Sequence, residues 1–288
     1  MSRLNRWLAA VGLFGCLAAH AGSPVWTIRG EHNTVYLAGS VHVLKADDAA
    51  LPAAFDRAYA GSQALVMEID LDDLNPMEAA GWMMEHGMLG EGVTLKDAIG
   101  AARYARVETE ATRLGIPVEL LGQMKPWVLG MQLLEMQYAQ LGFDPTQGVE
   151  QQLVQRAQAD RKEIRGLETL DEQLGVLNDL SGEDQAKFLD LVVSEMHEVE
   201  GETRDVVNAW RAGDVQKLAA QLGDEYKRFP GLYRALVTDR NKRWMPQLEK
   251  LLREKRDYLV VVGALHLVGE DGLLALLRRD GLKAEALN

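Results

Sequence analysis

Two stretches near opposite ends of the chain carry the same local design, and any fold must accommodate both. Tyr258–Leu267 reads Y-L-V-V-V-G-A-L-H-L. Its apolar run from Tyr258 to Val262, rich in β-branched valine, predicts a buried strand central in a sheet. Gly263 then permits a sharp turn or a close approach, and His266 follows three residues later. Val35–Val43, V-Y-L-A-G-S-V-H-V, repeats the pattern with Gly39 and His42. Two buried strands that each end in G-x-x-H predict two imidazoles in one cleft, provided that the two ends of the chain pair.

A third group belongs with them. Ala64–Asp70, A-L-V-M-E-I-D, reads as another buried strand, and it carries Glu68 among aliphatic neighbours. A carboxylate buried alone is costly, so Glu68 needs a cation, a metal or a hydrogen-bond partner. His42, His266 and Glu68 make the donor set of an open catalytic zinc site, and one that also suits manganese, cobalt or iron. The same residues equally allow a metal-free histidine base oriented by Glu68. Arg240-Asn241 lies on a helix before the last strand. A buried Arg240 would pair with Glu68 or bind a substrate carboxylate or phosphate; an exposed one would be an ordinary charged surface residue.

The pattern along the chain predicts an α/β fold with a mixed sheet. Trp26–Arg29 and Thr34–Gly39 read as a hairpin, and Glu163–Leu167 as a short strand. Helices are expected over Ala46–Ala60, Pro76–Leu89, Leu95–Leu114, Met124–Leu141, Gly148–Ala159, Leu170–Leu180, Gly182–Val199, Thr203–Gly213, Val215–Leu222, Arg234–Lys255 and Gly269–Arg278, before an edge strand at Leu282–Leu287. Strands thus gather at the two ends of the sequence. The expected organisation is an α/β core from residues 25–122 and 225–288, with a helical insertion over 123–224. Glu150 and Glu168 read as helix caps, and His32, His86 and His197 as surface residues.

Residues 1–22 read as a Sec-type signal peptide: Arg3 and Arg6, the apolar run Trp7–Ala19, then Ala19-His20-Ala21 before Gly22. The expected domain is then 23–288, periplasmic or secreted, with no membrane span after signal removal; a lipoprotein reading of Leu13-Phe14-Gly15-Cys16 ranks lower, because Phe14 is bulky for that box and the preceding apolar run is short. Cys16 is the only cysteine and would leave with the signal, which excludes disulfides, thiolate nucleophiles and cysteine-held metals. A formal net charge of −12 argues against nucleic acid as a partner. There is no P-loop, no dinucleotide fingerprint and no G-x-S-x-G.

Taken together, Gly39–His42, Glu68 in V-M-E-I-D, Lys125-Pro126-Trp127, G-V-E-Q-Q-L (Gly148–Leu153), G-L-E-T-L-D-E-Q-L (Gly166–Leu174), A-W-R-A-G-D (Ala209–Asp214), Arg240-Asn241 and Val261–Gly269 resemble the TraB/GumN family. That family is related to the Tiki metalloproteases and to the erythromycin-esterase/ChaN-like fold. The resemblance implies a pocket built from His42, Glu68 and His266, which Tiki-type relatives use for divalent-metal-dependent proteolysis. ChaN-like relatives are associated with haem or iron. The expected function is therefore a metal-dependent hydrolase, acting on a peptide or small-molecule substrate, with a metal-activated water as nucleophile and with Arg240 and Asn241 polarising or anchoring the substrate. A non-catalytic haem- or metal-binding protein is the alternative.

Overall fold

The computed structural model describes residues 22–117 and 121–288, the side chains of 222–228 aside. The segment expected to be a signal peptide lies outside the described residues but for Gly22.

The strands in chain order are β1 (Val25–Arg29), β2 (Thr34–Ser40), β3 (Leu44–Lys45), β4 (Ala64–Met67), β5 (Phe143–Asp144), β6 (Glu163–Gly166), β7 (Tyr258–Gly263) and β8 (Ala284–Ala286). Six of them form one mixed sheet in the order β6-β4-β7-β2-β1-β8, while β3 and β5 pair separately. β6, β4, β7 and β2 are parallel neighbours, and β1 runs antiparallel to both β2 and β8. β7 sits in the middle with every residue buried, as its continuous apolar run requires. It joins the termini, pairing Gly39 with Val262 on one side and Met67 with Val261 on the other.

Two apolar cores divide the molecule. One surrounds the sheet and takes in Phe55, Val149, Leu153, Trp210, Trp244 and Leu248. The other lies among helices, built on Leu95, Val107, Trp127, Leu133, Leu189 and Met196. A helical insertion bounded at 123 and 224 does not describe this partition. β6 lies inside those limits yet joins the main sheet, and the helices Leu95–Ile99 and Ala101–Arg113, outside them, pack into the helical core.

Local chemistry moves several expected boundaries. The helix expected from Ala46 begins at Ala53, because the ring of Pro52 disfavours helical backbone at Leu51; only a 3-10 turn, Ala46–Asp48, precedes it. The helix expected over Leu95–Leu114 breaks at Gly100, whose φ of 82° lies outside helical space. The helix expected from Arg234 opens with a π-helical turn, Arg234–Thr238, and continues as Asp239–Arg253. β4 ends at Met67, so Glu68 is the first residue beyond the strand and not within it.

Candidate functional site

All the chemistry gathers at one edge. Glu68 follows β4, His42 follows β2, His266 lies on the 3-10 turn Ala264–Leu267 after β7, and Glu168 follows β6. The carboxyl ends of parallel strands are where α/β folds place their ligand clefts. Here register does the placing: backbone N–H groups of Leu167 and Glu168 both donate to the Glu68 carbonyl, at 3.0 and 2.9 Å.

Arg240 is the buried hub. Its Nη2 donates to Glu68 Oε2 at 2.6 Å and to Glu168 Oε1 at 2.5 Å, and its Nε donates to Glu168 Oε1 at 3.0 Å. Its Nη1 reaches His266 Nε2 at 3.1 Å and the Leu236 carbonyl at 3.4 Å. The π-helical turn supplies that carbonyl, and the guanidinium also lies over the Trp244 ring. Glu68 is further held by the Gly263 N–H, 2.7 Å from Oε1, and by Gln173 Nε2, 3.2 Å from Oε2.

Asn241 is fully buried. Its Nδ2 donates to the carbonyls of His266 and Asp271, at 3.0 and 2.8 Å. With the amide nitrogen so engaged, Asn241 Oδ1 is an acceptor for His266 Nδ1 at 2.8 Å. His266 therefore carries its proton on Nδ1 and turns the Nε2 lone pair toward Arg240 and Glu68. Trp244 packs on its ring, centroids 4.5 Å apart. Arg240 and Asn241, expected to face substrate, spend their polar atoms inside the protein.

His42 is arranged in parallel fashion. Its Nδ1 lies 2.7 Å from Glu150 Oε1, and Ser40 Oγ donates to that same oxygen at 2.5 Å. Glu150 and Glu168 were expected as helix caps; each holds a basic side chain of the site, and Glu150 also takes its own backbone N–H in the first turn of its helix. The residue types at a helix start are the same in both roles, and only the tertiary partner distinguishes them. The chain around Glu168 does offer a sign: it stands just past a short strand, as Glu68 does.

The three groups converge on Gly263. A Cβ there would lie 3.3 Å from Glu68 Oε1, 3.5 Å from His42 Nε2 and 3.7 Å from His266 Cδ2. Beside this point lies a cleft of about 200 Å³, in which His42, Glu68, Glu150 and Gln173 face an apolar wall of Met67, Ile69, Leu71 and Pro145; Gly263 and His266 stand behind its lining. His266 Nε2 and Glu68 Oε1 are 3.9 Å apart. Among the described residues no group of three or more His, Cys, Asp or Glu side chains is drawn together as a metal centre, and Arg240 Nη1 occupies the lone-pair direction of His266 Nε2.

Electrostatics separate the two imidazoles. Burial pushes His266 down to about 4, so it is neutral at neutral pH. His42 stands deep among protein atoms, yet 68 % of its side chain meets solvent. The Glu150 carboxylate, outweighing what burial does, lifts it to about 9. Burial alone would raise Glu68, but His266, Arg240 and His42, with the Gly263 N–H, outweigh it and hold the carboxyl at about 2. With His266 neutral, Arg240 and the protonated His42 are the counter-charges of Glu68 at neutral pH. Glu168 is raised by burial despite the same guanidinium.

The profile of the TraB/PrgY/gumN family matches residues 24–286. A protein of Shigella flexneri named YbaP is 26 % identical over 252 residues, covering 88 % of this chain and 90 % of its own. YbaP of Escherichia coli (strain K12) shares the same identity and coverage. An uncharacterized protein of Treponema pallidum is 23 % identical over 289 residues, with 94 % and 85 % covered. No solved structure matches. With nearly all of its described length inside the family's profile, the chain belongs to the TraB/PrgY/gumN family.

Proposed function

We propose that the cleft at Gly263 is the reaction centre of an exported, metal-dependent hydrolase acting on peptide bonds, within an erythromycin-esterase/ChaN-like core. One observation carries the reading. Both imidazoles have Nδ1 engaged by an oxygen acceptor, and both direct their other ring edge at the point where Glu68 Oε1 also arrives. An acceptor on the far nitrogen is the recurrent device that orients metal-ligating histidines.

The donor set fits a divalent cation held by His42, Glu68 and His266, zinc, manganese, cobalt or iron being the chemically suited ions. Such an ion would supply Lewis-acid polarisation and a more acidic bound water. The chain's own residues do the remaining work. Asn241 fixes the His266 ring and its tautomer. Arg240 keeps Glu68 ionised and, on swinging off His266 Nε2, frees that lone pair. Glu168 holds the guanidinium so that it is not lost to solvent. The wall of Met67, Ile69 and Leu71 keeps water away from one side of the cleft.

The contact of Arg240 Nη1 with His266 Nε2 favours a second reading. In it the cluster stays metal-free and His42 alone transfers protons at the open edge of the cleft. Hydrolysis of a mixed peptide library, followed by mass spectrometry with and without a chelator, tests the two. Cleavage abolished by chelator and restored by a divalent ion supports the metal reading. Cleavage indifferent to chelator supports the metal-free one, and no cleavage under any condition overturns both and leaves the non-catalytic haem- or metal-binding alternative.

A further inference from the structure

The role of Glu150 is open in all of this. It sits in the first turn of the helix Val149–Asp160, far in sequence from His42, and its position is built with care. Gly148 packs so closely on the His42 carbonyl that a Cβ would lie 2.1 Å from that oxygen. The Val149 N–H donates to the Val41 carbonyl at 3.1 Å, which ties the helix start to the His42 loop. Ser40, the last residue of β2, donates its hydroxyl to Glu150 Oε1. The helix terminus adds its own preference for an anion at that place. Glu150 Oε2 is buried and has no hydrogen-bond partner, so its side-chain contacts run through Oε1, to Ser40 and His42, beside a backbone hydrogen bond from its own N–H.

His42 needs such a clamp more than His266 does. His266 is buried and wedged against Trp244, whereas the His42 side chain is largely open to solvent. A solvated imidazole turns freely and exchanges its proton between both nitrogens. Which nitrogen faces the reaction is set by the partner of the other.

We propose that Glu150 is a positioning residue: together with Ser40 it locks the His42 ring with Nδ1–H toward Oε1, and so aims Nε2 at the cleft. For its effect on activity and metal uptake the proposal rests on the reading above; for the state of the ring it does not.

The experiment uses the full chain carrying ¹⁵N-labelled histidine, as wild type, Glu150→Ala and Glu150→Gln. Ring ¹⁵N shifts of His42, assigned with His42→Ala, are read above the ring's pKa, and zinc affinity is read by chelator competition. The wild type is expected in the Nδ1–H tautomer. Glu150→Ala is expected to shift toward Nε2–H and to bind zinc about 10- to 100-fold more weakly, the usual cost of losing such an orienting partner. Glu150→Gln keeps an acceptor oxygen and is expected to recover most of both. If Glu150→Ala does not fold, Ser40→Ala is expected to move both readouts the same way by less. A His42 tautomer unchanged in the folded variant overturns the proposal. Wild type that takes up no zinc overturns the metal reading, while the tautomer comparison still decides for or against Glu150.

Discussion

At the residue scale, the buried charges are counted around Arg240: one guanidinium faces two carboxylates. Removing Glu68 leaves a one-to-one pair with Glu168. Removing Arg240 leaves two buried carboxylates with no cation between them. Arg240→Met is therefore expected to cost about 3–5 kcal/mol, the range for breaking a buried pair. Glu68→Gln, which keeps shape and one acceptor, is expected to cost about 1–3 kcal/mol. Urea unfolding of the two variants checks the order, and a larger loss for Glu68→Gln would contradict it. Gly263→Ala is a cleaner probe of the cleft. The backbone there, φ −49° and ψ 135°, suits alanine, so the fold is expected to survive. The new methyl would lie at the convergence point of Glu68, His42 and His266. Metal uptake is expected to fall about tenfold or more, and uptake equal to wild type would place the ion elsewhere.

The same residues set a pH response. His266 has its folded-state pKa depressed from 6.5 to about 4, and Glu68 from 4.5 to about 2. Groups depressed on folding contribute stability above the unfolded value and lose it as pH falls through the folded one. Stability measured with chelator present is expected to fall first between pH 6.5 and about 4, through His266, then between 4.5 and about 2, through Glu68. His266→Gln is expected to flatten the upper window alone, and an unchanged slope there would contradict the account. Much of this was legible in sequence: a carboxylate beside an apolar run and two G-x-x-H units singled out Glu68, His42 and His266. The inward roles of Glu150, Glu168, Asn241 and Gln173 were not, because a cap, a surface amide and a site partner use the same residue types, and only the fold supplies the partner.

At the scale of elements, β7 is read to within one residue, whereas the equally apolar β4 ends three residues short of its expected limit. β7 announces itself because a run of branched side chains buried on both faces has few other uses. Helix limits depended on single residues, Pro52 and Gly100 among them, whose backbone restrictions override an otherwise continuous helical period. The π-helical turn at Arg234–Thr238 had no sequence signal, yet it leads into the helix of Arg240 and Asn241 and supplies the Leu236 carbonyl to Arg240; such turns recur at functional sites. β2 leads into His42 and pairs with β7, so loosening it is expected to cost stability before it costs chemistry. Leu37, in β2, is fully buried. Leu37→Ala is expected to cost about 2–5 kcal/mol by thermal or urea unfolding, and a loss under about 1 kcal/mol would show a core able to collapse around the gap.

At the scale of the whole molecule, the site exists because the two ends of the chain meet. The pairing of β2 with β7 joins residues from the first and last quarters, and the pairing of β4 with β7 brings in Glu68. That closure was readable from the matching strand ends, but the partition of the helices was not, since amphipathic helices do not declare which core they will cover. Among the described residues no helix is long and apolar enough to cross a membrane. Export remains part of the proposal, and the intact mass of the protein purified from its natural host is expected to correspond to a chain beginning at or near Gly22; retention of Met1–Arg6 would contradict it. The central claim, that His42, Glu68 and His266 hold one divalent ion, is tested most directly by elemental analysis of the purified protein after mild dialysis. Wild type is expected to retain close to one metal ion per chain, while folded His42→Ala and His266→Ala retain little or none. Equal metal in all three would contradict it.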